Sequence, residues 1–275
     1  MFGKLLKHEF RATSPLVLLV WAAVIGFSGL SSLFRLLCRE LDIFWLPMTV
    51  TTFFTVILAI ASVVVVYVLI IRRFYVNVYG DEGYLTLTLP VTRGSIIWSK
   101  LICGIVWVIG TVIVVFGAVM LRMTTEDAET LNEVLNMLGM TASLIVDFSG
   151  VPIWAVSTEL FAFLLVSLVK SIMLFYAAIS LGQFFTGHRL LGSVISYLGL
   201  NVVGRVVDSL YSLIMGISKQ GLNIAQQFYY NYSLDKAAGF EIQVSIILYI
   251  VLVAVWTAVL WLLTDFIMRR AVNLQ

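Results

Sequence analysis

Six apolar stretches, each about as long as a bilayer core is thick, take up most of this chain, and nearly every charge falls between them. A helix rises about 1.5 Å per residue, so roughly 20 consecutive apolar residues cross a hydrocarbon core about 30 Å thick. Residues 15–34, 48–71, 96–121, 153–185, 190–217 and 242–267 all reach that length. Lipid offers no hydrogen-bond partners, so each stretch must satisfy its own backbone, as a helix does. The expected fold is an all-α polytopic membrane protein: a single membrane domain, 1–275, with six transmembrane helices.

By composition, no sizeable water-soluble domain is expected between the spans. The chain is 61% hydrophobic and 12% charged, against about 25% charged in soluble domains. The longest gaps, 122–152 and 218–241, are too short to hold an independent core. Any catalytic domain must therefore belong to another chain, and no nucleic-acid partner is expected. The net charge of +2 says little; its distribution says more. On one side of the alternating connections lie Lys4, Lys7, Arg11, Arg72, Arg73, Arg93, Lys100, Arg189, Arg269 and Arg270, and on the other Arg35, Arg39, Arg122, Lys219 and Lys236. The positive-inside rule then puts both termini in the cytoplasm. Cys38 and Cys103 fall near opposite faces and are not expected to pair. The first stretch lacks a small-residue cleavage pattern and is read as a retained span.

The connections carry the local signals. Phe2, Leu5, Leu6 and Phe10 recur at helical spacing opposite Lys4, Lys7, His8 and Arg11, which predicts an amphipathic elbow helix over 1–13, with Pro15 opening the first span. The connection 72–95, RRFYVNVYGDEGYLTLTLPVTRGS, is the least membrane-like part of the chain. Gly80 to Gly83 marks a turn, Pro90 ends the alternation of Leu85, Leu87 and Leu89, and Thr92 starts the next helix. Three alternate leucines exposed to cytosol must dock on something, either the bilayer interface or a groove on a partner. Beyond the third span, 126–140 reads as an amphipathic helix with Leu131, Val134, Leu135 and Leu138 on one face. Phe228, Tyr229, Tyr230 and Tyr232 suit an interfacial aromatic belt.

Three charges fall within spans: Lys170 in the fourth, and Arg205 and Asp208 in the fifth. Each costs about 2.5–3.5 kcal/mol near the bilayer centre unless it faces protein or water. Counting rise per residue puts all three at similar depth, which predicts an intramembrane polar cluster, either a lock between the two spans or part of a translocation route. Lys100 is read as snorkelling to the inner interface. His8 and His188 have no ligand constellation around them, and the chain contains no Walker A pattern, HExxH helix or GxSxG elbow. No metal, cofactor or enzymatic activity is expected of this chain, and any ATP hydrolysis belongs to a partner.

At KLLKHEFRAT (4–13) and DEGYLTLTLPVTRGSIIWSKL (81–101) the chain resembles bacterial membrane subunits of ATP-binding-cassette (ABC) transporters of the second exporter type. That resemblance implies a permease in the bacterial plasma membrane, paired with a second permease subunit as a homo- or heterodimer, surrounded by membrane lipid and driven by an ABC ATPase. It implies a coupling surface at Glu82, Gly83, Tyr84, Leu85, Leu87, Leu89, Pro90 and Arg93, and a lesser contact at His188 and Arg189. The chain departs from the pattern in lacking a long extracellular domain, which leaves peptide, antibiotic, lipid or small hydrophobic cargo open. The alternative reading is a non-transport polytopic sensor or assembly protein, whose intramembrane charges would be structural.

Overall fold

The structure, a computed structural model, describes residues 2–38, 45–80, 83, 91–123, 125, 132–137, 139–141, 143, 152–185, 187–228 and 234–271. In the fifth helix side chains are described up to 216, and in the sixth from 243 to 270. Six helices are long and apolar enough to cross a membrane: α1 Phe2–Cys38, α2 Trp45–Tyr79, α3 Arg93–Met123, α4 Ile153–Gly182, α5 Arg189–Phe228 and α6 Leu234–Ala271. The chain is thus an all-α, six-span membrane protein. Where composition predicts a single membrane domain, the chain divides into two compact three-helix units, 1–137 and 138–275.

Helix ends depart from the apolar stretches. The elbow expected over 1–13 is not a separate element, because α1 runs unbroken through Pro15. Proline has no N–H for the carbonyl four residues back, here that of Arg11, and the Ser14 hydroxyl donates to that carbonyl at 3.4 Å instead. The segment 72–79, expected as loop, continues α2. Val66, Ile70, Phe74 and Val78 are buried at four-residue spacing, so one packed stripe carries the helix past the point where apolar composition ends. α3 begins at Arg93, directly after Thr92 as expected, and the Thr92 and Ser95 hydroxyls lie 2.7 Å apart. The described residues of 126–140, namely 132–137, 139 and 140, are all helical.

In the first unit α1 packs against both α2 and α3. A row of polar contacts fixes α1 and α3 as parallel neighbours. Trp107 Nε1 donates to Thr13 Oγ1 at 2.8 Å, Trp21 Nε1 to Thr111 Oγ1 at 3.0 Å, Ser28 Oγ to the Ala118 carbonyl at 2.8 Å and Ser32 Oγ to the Leu121 carbonyl at 3.4 Å. The sequence separation stays near 90 along the row. Close approach requires small residues: a Cβ on Gly110 would fall 2.7 Å from Trp21 Cζ2, whereas one on Gly117 would meet nothing within 4 Å. Gly110→Leu is therefore expected to cost about 1–3 kcal/mol by overpacking, and Gly117→Leu almost nothing. Thermal unfolding of the two variants in detergent checks this, and equal midpoints would refute the Trp21 contact.

The second unit repeats the pattern, with α4 packed against both α5 and α6. Ile172, Met173, Tyr176 and Ala177 on α4 and Leu260, Ile267 and Met268 on α6 are fully buried. Phe175 stacks on Tyr197 with centroids 4.8 Å apart. The α4–α5 hairpin is tight, and Gly182 and Gly192 leave room there for Ser193 and Phe185 respectively. Outward faces of both units remain apolar, with Phe53 and Phe161 more than 60% exposed, as lipid requires.

Candidate functional site

The most concentrated chemistry lies where α1 begins, α2 ends and α3 begins. Glu9 falls inside the inward stripe Leu5, Leu6, Glu9, Phe10 and Thr13, where spacing of three and four aims it at the neighbouring helices. It is buried, and two cations reach it. Lys100 Nζ of α3 donates to Oε1 at 2.7 Å and Arg73 Nε of α2 to Oε2 at 2.9 Å. One carboxylate thus ties three helices together with charge-assisted bonds at the short end of their range. Lys100 does not snorkel to the interface; it is only 4% exposed. A long side chain reaches water only if nothing packs over it, and here Glu9 supplies the compensating charge instead. Thr13 extends the knot, donating to the Glu9 carbonyl at 2.9 Å while accepting from Trp107.

The sequence reading did not single out Glu9. The signal was present: a carboxylate within an otherwise apolar stripe, flanked by His8 and Arg11 on the exposed face.

The knot adjoins the connection between α2 and α3. At its start the Gly80 N–H donates to the Tyr75 carbonyl at 3.0 Å and the Gly83 N–H to the Gly80 carbonyl at 2.8 Å. A Cβ on Gly83 would lie 2.6 Å from the Val78 carbonyl oxygen, so this turn is built on backbone-to-backbone approach. Of the expected coupling residues, Gly83 is buried at this turn and Arg93 half-buried at the start of α3. Glu82, Tyr84, Leu85, Leu87, Leu89 and Pro90 lie outside the described residues. His188 and Arg189 are exposed at the α4–α5 turn.

Within the second unit Lys170 Nζ lies 3.9 Å from Asp208 Oδ2, and Tyr249 of α6 donates to Asp208 Oδ1 at 3.3 Å. Arg205 is exposed on α5 and makes no ion pair with Asp208 among the described residues. Tyr249 and Tyr211 pack with centroids 5.3 Å apart, and the Tyr211 hydroxyl donates to the Ser245 carbonyl. With Phe163, Met215 and Ile246 these rings line a cleft of about 490 Å³ among α4, α5 and α6. Such a lining matches the chemistry of an apolar or amphipathic molecule. The Lys170–Asp208 pair is long, and both side chains are at least a quarter exposed. Lys170→Met is therefore expected to lower stability by only about 0.5–1 kcal/mol. Chemical unfolding in detergent measures this, and a loss several times larger would make the pair a structural lock.

Among the described residues no group of three or more His, Cys, Asp or Glu is placed to hold a metal ion. The fold defines the class: an all-α polytopic membrane protein of two three-helix units. Compared with protein-family models, curated proteins and solved structures, the chain matches none.

Proposed function

We propose that this chain is the permease subunit of an ATP-driven exporter, coupled to a separate ABC ATPase through the connection between α2 and α3. It supplies the translocation path and no nucleotide site. The observation that supports this most is the Glu9–Arg73–Lys100 knot. It joins α1, α2 and α3 at the base of the connection, so a force applied there moves three spans together rather than bending one. Nucleotide binding in the partner then biases a two-state membrane dimer through its differential contact with that connection. The bacterial plasma membrane and pairing with a second permease subunit, identical or diverged, belong to the same reading. The aromatic cleft of the second unit is the place for apolar cargo.

A detergent pull-down of the tagged chain from its native membrane tests the reading. Recovery of a Walker A protein with vanadate-sensitive ATP hydrolysis is the expected result. Recovery of the chain alone across several mild detergents would overturn it in favour of a sensor or assembly protein.

A further inference from the structure

A crevice of about 200 Å³ opens between α1 and α2 beside the ion knot, lined by Ala12, Thr13 and Leu16 on one helix and by Leu69, Arg72, Arg73, Val76 and Asn77 on the other. Its polarity is graded. α1 leads into the membrane from this end and α2 leads out of it, so Leu16 and Leu69 form the deeper part, and Arg72, Arg73 and Asn77 the outer part. Leu16, at the deep end of the crevice, is 46% exposed, and the outward side chains Leu19 and Val68, further in along α1 and α2, are exposed and apolar.

Charge points the same way. Glu9 is the one described acid at this corner, and Arg73 and Lys100 already hold both of its oxygens. The knot therefore carries one surplus positive charge. Arg72 is exposed and makes no ion pair among the described residues. Arg73 spends its Nε on Glu9, leaving its terminal nitrogens as donors. Two guanidinium groups, with the Asn77 amide five residues beyond Arg72, suit a group bearing several acceptor oxygens.

We propose that this crevice binds the headgroup phosphate of an anionic membrane phospholipid, its acyl chains running along Leu16 and Leu69. Basic clefts between transmembrane helices recognise such headgroups by charge and hydrogen bonding. A free anion would use the arginines but gain nothing from the apolar end. The site does not depend on the transport reading, because it needs only a bilayer around the first unit.

The test is native mass spectrometry of the full-length chain released from nanodiscs containing equal parts phosphatidylglycerol and phosphatidylcholine. Wild type is expected to retain phosphatidylglycerol preferentially, and Arg72→Gln to lower that retention about fivefold. Arg72 lies outside the knot, and an unchanged elution volume and unfolding midpoint establish that the variant is folded. Leu16→Asp, which adds a charge at the apolar end, is expected to lower retention as well. Equal retention of the two lipids, or no effect of Arg72→Gln, would overturn the site. Displacement of the lipid by millimolar inorganic phosphate, with Leu16→Asp silent, would make it a small-anion site and overturn the lipid assignment.

Discussion

Glu9→Gln is expected to reduce the yield of folded, monodisperse protein by tenfold or more. Removing one partner of a buried ion pair costs about 3–5 kcal/mol, because the charge left behind has lost its compensation without regaining water. Lys100, 4% exposed, is that charge. A loss of this size is a large fraction of the roughly 5–15 kcal/mol that holds a typical folded domain together. Lys100→Met should be milder, since Glu9 keeps Arg73, which is 23% exposed and partly hydrated. The double variant should be more stable than Glu9→Gln alone, and that non-additivity identifies direct coupling. Unfolding followed by tryptophan emission is well placed to report it, because Trp107 is linked to Glu9 through Thr13. Wild-type stability of Glu9→Gln would mean that the carboxylate does not hold the three helices together.

Replacing Leu87 and Leu89 together by Asp is expected to abolish recovery of the partner ATPase while leaving membrane insertion and elution behaviour unchanged. On the proposed coupling reading, the two leucines supply the buried area of a small interface, and interface energy concentrates in a few such side chains. Two carboxylates there would have to be desolvated without partners. The ion knot lies at the base of this connection and not in it, so the double variant separates docking from folding. Undiminished co-purification would remove the coupling assignment.

The six spans were legible because a bilayer demands a fixed apolar length and a self-satisfied backbone, and little else produces such stretches. Helix ends were not. Composition turns polar at Arg72 while α2 continues to Tyr79, because Phe74 and Val78 extend a packed stripe that bulk hydropathy does not resolve. Lys170 and Asp208 were placed at one depth by counting rise, and they stand 3.9 Å apart. Arg205, three residues from Asp208, is exposed on α5. Glu9 escaped notice, and Lys100 was read as snorkelling, for a different reason. Lys100 looks ordinary among the basic residues expected near a membrane surface, and only the packing of α1 against α3 makes it the partner of Glu9.

That packing also sets a schedule for biogenesis. Glu9 and Lys100 are 91 residues apart in the chain, so the carboxylate is synthesised long before its partner. At about 5–20 residues per second, some 5–18 s separate the two, and Arg73 emerges partway through. During that interval the α1 N-terminal turns lack the α3 surface they pack against, and Glu9, which precedes the apolar stretch, keeps its hydration. The apolar span of α1 is therefore free to cross first, while docking of its N-terminal turns onto α3 is completed only once Lys100 is in place.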